Sequence, residues 1–99
     1  MKSILQNKKK CFICSMTIGL HDHHIYFGNA RRKISEKYGF KVWLCFKHHE
    51  GTFGVHGKNG YELDLYLKKV CQIKFEEHNS RNDFIKIIGR NYLRGETYE

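Results

Sequence analysis

Two short segments in the first half of the chain are rich in apolar and aromatic residues. The runs LHDHHIYF (residues 20–27) and KVWLC (residues 41–45) predict two short strands. Between them, ARRKISEKYGF (residues 30–40) predicts one or two helical turns that end at Gly39. A glycine-rich segment, EGTFGVHGKNG (residues 50–60), follows the second strand. We therefore expect an irregular first half with two strands, and most of the metal-ligand residue types lie in it.

Apolar residues recur at helical spacing from Tyr61 onward, which predicts an amphipathic helix. Its predicted buried face consists of Leu63, Tyr66, Leu67, Val70 and Ile73, and the other side carries Lys68, Lys69 and Lys74. Asn59, with Glu62 three residues later, is predicted to cap the amino terminus of this helix. The helix is expected to fray near EHNS (residues 77–80).

A second helix is predicted to begin at Ser80, because Asp83 follows three residues later as in a capping box. Its predicted buried face consists of Phe84, Ile87 and Ile88. Gly89 is predicted to end it. We interpret both helices as a scaffold for the first half of the chain.

Length and composition predict one small folded domain. The chain has 99 residues, of which 40% are hydrophobic and 14% aromatic. Domains of this size often need a disulfide or a metal ion to stay folded. The sequence contains neither a signal-peptide pattern nor an apolar run of membrane-spanning length, which predicts a cytoplasmic protein and no membrane partner. Cysteine pairs in that compartment usually bind metal, and a disulfide-stabilised protein is the alternative.

The chain is strongly basic, with a formal net charge of +8 and an isoelectric point near 9.4. The positive residues occur in clusters, at Lys8 to Lys10, at Arg31, Arg32 and Lys33, and at Lys68 and Lys69. Such clusters favour a polyanionic partner such as nucleic acid, through phosphate contacts and counterion release. The alternative interpretation is a charged surface that only keeps the protein soluble.

Two pairs of metal-ligand residues share the same short spacing. Cys11 and Cys14 are separated by two residues, as are Cys45 and His48. Two such pairs can complete a tetrahedral zinc site, which predicts a structural zinc knuckle. Alternatively, Cys45 is a buried hydrophobic residue among its apolar neighbours. We interpret Cys71, on the long helix, as a packing residue.

Four further histidines suggest a second, chemically active site: His23, His24, His49 and His56. Neutral imidazoles can hold a divalent ion, and a histidine is well suited to act as a general base at cellular pH. His23 and His24 are adjacent, so a regular strand would direct them to opposite faces. Both can serve one site only if the strand ends or bends there. His21 and Asp22 are expected to be exposed or to support the ligands, and His78 to be a surface residue.

The order of these motifs resembles that of the HNH endonucleases: C-x2-C, then HHI, then a strand that ends in LC-x2-HH. The chain from Cys11 to Leu93 is similar to a phage-encoded HNH group related to the recombination-enhancement, RecA-dependent nuclease. The resemblance implies an α+β fold, with a small ββα-metal finger and zinc knuckle followed by C-terminal helices. The expected organisation is a basic tail (1–10), the knuckle and finger (11–58), a helical scaffold (59–93) and a second tail (94–99).

The same resemblance implies roles for individual histidines. His23, the first residue of HHI, would be a ligand of the catalytic metal. His24 would be the general base, held in its reactive tautomer by a backbone carbonyl. His49, which directly follows the last zinc ligand, would be another ligand of the catalytic metal.

Two positions depart from the HNH pattern. HNH proteins often have a further histidine ligand four residues later, where this chain has Phe53. We expect His56 to replace it, because the glycine-rich loop can fold back toward the site. The usual asparagine is also missing before the second ligand pair, and Asn29 is the candidate for its bracing role.

The function implied by the resemblance is a metal-dependent DNA endonuclease, phage-encoded and linked to recombination or DNA processing. The expected cofactors are a structural Zn²⁺ and a catalytic Mg²⁺ or Mn²⁺, with Zn²⁺ as a further candidate for the catalytic ion. Arg31, Arg32 and Lys33 would contact backbone phosphates. Other candidate partners are a recombinase filament and a second copy of the chain, and a monomer is equally compatible. The alternative function is a zinc-stabilised nucleic-acid-binding accessory protein without catalysis.

Overall fold

Two strands and four helices make up the computed structural model, which describes residues 2–93. In chain order they are β1 (His21–His24), α1 (Arg31–Tyr38), β2 (Lys41–Leu44), α2 (Phe46–His49), α3 (Tyr61–Phe75) and α4 (Arg81–Ile88). The expected α+β class is therefore confirmed. The predicted second tail, residues 94–99, lies outside the described residues.

The two strands form an antiparallel sheet in which His21 is opposite Leu44 and His24 is opposite Lys41. Regular pairing ends at His24, although the Ile25 N–H still donates to the Phe40 carbonyl at 2.9 Å. The predicted first strand was therefore longer than the observed one. Because β1 is regular up to His24, its side chains alternate between the two faces of the sheet.

The residues that follow β1 enter the core. Ile25 and Tyr26 are fully buried, and the Tyr26 ring lies 5.5 Å from the Phe40 ring and 5.6 Å from the Phe84 ring, measured between centroids. The Tyr26 hydroxyl donates to the Lys68 carbonyl oxygen at 2.6 Å, which satisfies its one polar group. The helices α3 and α4 thus pack against the chain directly after the histidine-rich strand.

Residues 2–10, predicted as a basic tail, lie against β2. The Ile4 N–H donates to the Gly39 carbonyl at 3.0 Å, and the Gln6 side-chain oxygen accepts from the Trp43 N–H at 2.7 Å. Ile4 and Leu5 also pack against the core cluster. These contacts satisfy backbone groups at the open edge of a two-stranded sheet.

Three of the predicted helix boundaries are confirmed. Gly39 and Gly89 end α1 and α4 with φ angles of 75° and 89°, which glycine adopts without strain. Ser80 caps α4, because its hydroxyl accepts from the Asp83 N–H at 3.0 Å.

The prediction that Asn59 caps α3 is wrong. The N-cap residue of α3 is Gly60, so no side chain caps this helix. Asn59 uses its backbone N–H instead, donating to the Thr52 carbonyl at 2.7 Å within the glycine-rich loop.

The predicted buried face of α3 is partly wrong as well. Tyr66 and Ile73 are 51% and 53% exposed, whereas Leu67, Cys71 and Phe75 face the core at a spacing of four residues. Cys71 is fully buried, which agrees with the packing role predicted for it. Within residues 2–93, no helix has the length and apolar character needed to cross a membrane.

Candidate metal centres

Three cysteines and one histidine come together at one end of the hairpin. Cys11 and Cys14 lie on a turn before β1, Cys45 directly follows β2, and His48 is on α2. The Cys14 Sγ lies 3.7 Å from the Cys45 Sγ. The His48 Nδ1 lies 3.7 Å from the Cys11 Sγ and 3.2 Å from the Cys45 Sγ. We refer to these four residues as the thiolate cluster.

The spacing within the thiolate cluster fits a tetrahedral metal site. With Zn–S bonds of about 2.3 Å and Zn–N bonds of about 2.0 Å, neighbouring ligand atoms are separated by roughly 3.5–3.8 Å. The observed separations of 3.2–3.7 Å are close to this range. The four residues could therefore bind a metal ion.

The pKa shifts of Cys11 and Cys14 also favour binding of a cation by the thiolate cluster. Burial opposes ionisation of Cys11, but hydrogen bonds from the backbone N–H groups of Cys45, Cys14 and Ile13 lower its pKa to about 6. A backbone hydrogen bond from Met16 favours ionisation of Cys14, yet desolvation and its two thiol neighbours raise the pKa of Cys14. One thiolate thus opposes formation of the next, and a bound cation would remove this repulsion.

Three histidines form a second group, which we call the histidine cluster: His23 from β1, His49 from α2 and His56 from the glycine-rich loop. The centroid of the His23 ring lies 5.2 Å from those of both other rings, which are 4.8 Å apart. All three pairs meet at 70–77° between ring planes. One nitrogen from each ring lies within 4.8 Å of the other two.

His23 is the most informative member of the histidine cluster. Its side chain is 2% exposed, and its Nε2 has no hydrogen-bond partner. A buried polar atom without a partner is costly, so its presence needs a reason. Burial, with a smaller effect from His49 and His56, lowers the pKa of His23 to about 3. The ring is therefore neutral and has a lone pair for a cation.

His49 is also kept neutral. Burial, together with the neighbouring His56 and His21, lowers its pKa despite the opposing effect of Glu50. The imidazoles of His49 and His56, beside the unpartnered nitrogen of His23, form a donor set that suits a divalent transition metal. The residues present therefore fit the metal that the resemblance implies.

The glycine-rich loop brings His56 to this cluster. The His56 N–H donates to the His49 carbonyl at 2.9 Å, and the Val55 N–H donates to the His48 carbonyl at 3.0 Å. The loop is so tightly coiled that a Cβ on Gly57 would overlap the Gly51 carbonyl oxygen, and one on Gly60 would overlap that of Gly54. Glycine is required at these close backbone approaches.

Adjacent residues of α2 serve the two clusters. Nδ1 of His48 faces the thiolates, whereas His49 packs against the His23 and His56 rings. Successive side chains of a helix diverge by about 100°. The prediction that His48 and His49 would face different sites agrees with this geometry.

His24 lies on the opposite face of β1 from His23. Its Nε2 lies 2.9 Å from the Glu36 Oε1, so its partner is a carboxylate and not the predicted backbone carbonyl. The buried Lys41 ammonium lies 2.9 Å from the same oxygen and 3.4 Å from Asp22. Hydrogen bonds from His24 and Lys41 lower the pKa of Glu36 to about 2. The Lys41 ammonium already offsets negative charge on Asp22 and Glu36, so the group of Asp22, His24 and Glu36 does not need a metal ion.

The face of β1 that presents His24 borders a cleft of about 430 Å³. Its walls are formed by His24, Asn29, Arg32, Lys33 and Glu36. The proposed base, the candidate bracing asparagine and two predicted phosphate contacts therefore share one cavity. Asn29 is held at a φ of 44°, in the turn after Gly28.

Arg31 takes a different position from its two neighbours. It is half-buried, and its guanidinium lies beside Gly89 at the carboxyl end of α4. A cation is favourable at that end of a helix, so the structure provides Arg31 with a role in packing α1 on α4.

Several residues at these sites were missed or undervalued in the sequence. Glu36 reaches His24 only through the packing of α1 on the hairpin, and Lys41 lies opposite His24 only through the register of the two strands. The sequence contains no local signal for either contact. The position of His21 could have been predicted, because residues two apart on a strand share a face and His21 therefore lies on the same face as His23. Its Nδ1 lies 2.7 Å from the Nδ1 of His49.

Comparison of the chain with protein-family models, with curated proteins and with solved structures finds no match.

Proposed function

We propose that this protein is a metal-dependent DNA endonuclease of the HNH type that hydrolyses phosphodiester bonds. The observation that supports it most is the buried, unpartnered Nε2 of His23 beside the rings of His49 and His56. The antiparallel pair of strands followed by α2, with candidate ligands on β1 and α2, supports the ββα-metal arrangement that the resemblance implies. In this proposal the protein is phage-encoded and works in DNA recombination or processing in the host cytoplasm.

The thiolate cluster would hold a structural Zn²⁺. Its four members tie the turn before β1 to the end of β2 and to α2. A zinc site of this kind contributes directly to folding free energy, which a chain of 99 residues needs.

The histidine cluster would hold the catalytic ion through His23, His49 and His56. The chemistry that Mg²⁺ or Mn²⁺, or alternatively Zn²⁺, supplies when bound is neutralisation of charge on the phosphate and the leaving sugar oxygen. His23 would bind the ion from a buried position, whereas His49 is half-buried and His56 is exposed.

His24 is the general base of the proposal. Glu36 engages its Nε2, so Nδ1 is the nitrogen that accepts the proton from water. The water oxygen then forms a bond to phosphorus as the bond to the sugar oxygen breaks. Arg32 and Lys33, which line the same cleft as His24, would bind the neighbouring phosphates. Contacts of this kind predict little sequence preference.

A second candidate function is a zinc-stabilised nucleic-acid-binding accessory protein without catalysis. The observation that favours it is the separation of His24 from His23 onto opposite faces of β1. In this version the thiolate cluster is structural, and the basic cleft binds DNA beside a recombinase filament.

A plasmid-nicking assay with Mg²⁺ or Mn²⁺ tests the proposal. The wild-type protein is expected to nick DNA, and His24→Ala to lose about 10²–10⁴-fold in rate while DNA binding is retained. His78→Ala is the matched control, because His78 is exposed and lies outside both clusters. If wild type and His24→Ala bind DNA equally and neither nicks it with any divalent ion, the enzyme proposal is wrong and the accessory function stands.

A further inference from the structure

A third histidine of β1 contacts the histidine cluster from outside it. His21 lies two residues before His23 and therefore on the same face of the strand. Its Nδ1 is 2.7 Å from the Nδ1 of His49, and the two ring centroids are 4.8 Å apart. The implied HNH ligand set does not use His21.

The 2.7 Å separation requires a hydrogen bond, because two imidazole nitrogens this close must share one proton. A neutral imidazole carries a hydrogen on only one nitrogen. If His49 offers the lone pair of Nε2 to a cation, its Nδ1 carries the hydrogen and donates to Nδ1 of His21. The Glu50 Oε2, 3.1 Å from the same Nδ1 of His49, is a second acceptor.

The same distance argues against His21 as a ligand that shares a cation with Nδ1 of His49. Two nitrogens on one tetrahedral ion, each about 2.0–2.1 Å from it, are roughly 3.3 Å apart. The observed 2.7 Å is too short for this arrangement but is typical of a strong hydrogen bond.

We infer that His21 is a positioning residue, which fixes the tautomer and the ring orientation of His49 so that His49 presents Nε2 to the catalytic ion. The inference rests on the ion site of the proposed function. Acceptors behind metal-ligating histidines usually act in this way, and their loss weakens metal affinity by about 10–100-fold. His21 itself touches neither the ion nor the substrate.

The test is a Mn²⁺ titration of protein that carries one Zn²⁺ per chain, monitored by the decrease in the electron paramagnetic resonance signal of free Mn²⁺. We expect His21→Ala to weaken Mn²⁺ binding about 10–100-fold. His21→Asn should restore most of the affinity, because the amide oxygen of Asn occupies nearly the place of Nδ1. His78→Ala, an exposed histidine variant, should bind Mn²⁺ like the wild type. Zinc content and melting temperature should be the same in all four proteins.

The outcomes separate this inference from the proposed function. If the wild type binds Mn²⁺ and His21→Ala binds it equally well, the inference is overturned and the ion site stands. If His21→Ala loses affinity and His21→Asn does not recover it, the positioning role is overturned in favour of direct ligation. If the wild type binds no Mn²⁺ beside its zinc, the proposed ion site fails, and the role of His21 fails with it.

Discussion

His23 and His24 are neighbours in the chain, but their side chains leave β1 on opposite faces. Nε2 of His23 is buried in the histidine cluster, whereas Nε2 of His24 pairs with Glu36 beside Lys41. The two residues can therefore be separated experimentally, since one would hold the ion and the other would move the proton.

We expect His23→Ala to abolish Mn²⁺ binding by the zinc-loaded protein and His24→Ala to leave it unchanged. Both variants should lose nicking activity. Calorimetric titration with Mn²⁺, in parallel with the plasmid assay, measures the two properties. An equal loss of Mn²⁺ affinity in both variants would assign His24 to the ion site.

Cys14→Ser is expected to release zinc and to unfold or greatly loosen the domain. Loss of a metal site is one of the few single changes that cost more than about 4 kcal/mol. Metal analysis and the melting temperature provide the measurement. Cys71→Ala is the control, since its buried thiol lies outside the thiolate cluster and its removal should leave one zinc per chain. A Cys14→Ser protein that melts like the wild type would disprove the zinc site.

Gly57→Ala should weaken Mn²⁺ binding while zinc stays bound. The added Cβ would overlap the Gly51 carbonyl oxygen, so the coiled loop must open and move His56 away from His49. Overpacking of this kind costs about 1–3 kcal/mol in stability. Lys58→Ala, at an exposed position of the same loop, should match the wild type in Mn²⁺ affinity and in melting temperature.

Ser80→Ala removes the side-chain cap of α4. The Asp83 N–H then loses its acceptor, and we expect a loss of about 1 kcal/mol in the free energy of unfolding. Urea denaturation measures this quantity. Asn82→Ala, an exposed change within the same first turn, should cost less, and equal costs would argue against the cap.

The lowered pKa of Glu76 predicts that this residue contributes to stability in a pH-dependent way. Burial favours its neutral form, but hydrogen bonds from Arg81 and Gln72 outweigh this effect and lower the pKa of Glu76. A carboxyl with a lowered folded-state pKa stabilises the protein above its unfolded pKa of about 4.3, and this contribution declines as the pH falls below that value.

The wild type should therefore be more stable than Glu76→Gln at pH 7, and the difference should shrink below pH ~4. Urea denaturation at several pH values measures it. Glu77→Gln is the control, because Glu77 is exposed and its carboxylate pairs with Lys74 at the surface. A difference that is constant with pH would contradict the assignment.

Contacts within a few residues could be predicted from the sequence. The two-residue spacing within Cys11–Cys14 and Cys45–His48 confines each pair to one turn, so the chain itself keeps the candidate ligands of each pair together. The cap at Ser80 and the ends of α1 and α4 at glycine follow from similarly local chemistry.

Contacts that depend on packing between elements could not be predicted in this way. Glu36 and Lys41 meet His24 only because α1 and β2 pack beside β1, and nothing near His24 in the sequence indicates a carboxylate partner. The helical period of α3 was clear, but apolar residues occur on both of its sides. The packing of α3 against the rest of the fold decides that Leu67, rather than Tyr66, is buried.

The single turn α2 carries His48 on one side and His49 on the other. Because a single helical turn moves as one unit, an ion that fixes His48 also restricts the orientation of the His49 ring. Thermodynamic linkage makes such coupling reciprocal. In the proposed function the two cations should therefore bind cooperatively. Zn²⁺ in the thiolate cluster would orient His49 for the second ion, and removal of the zinc would weaken Mn²⁺ binding.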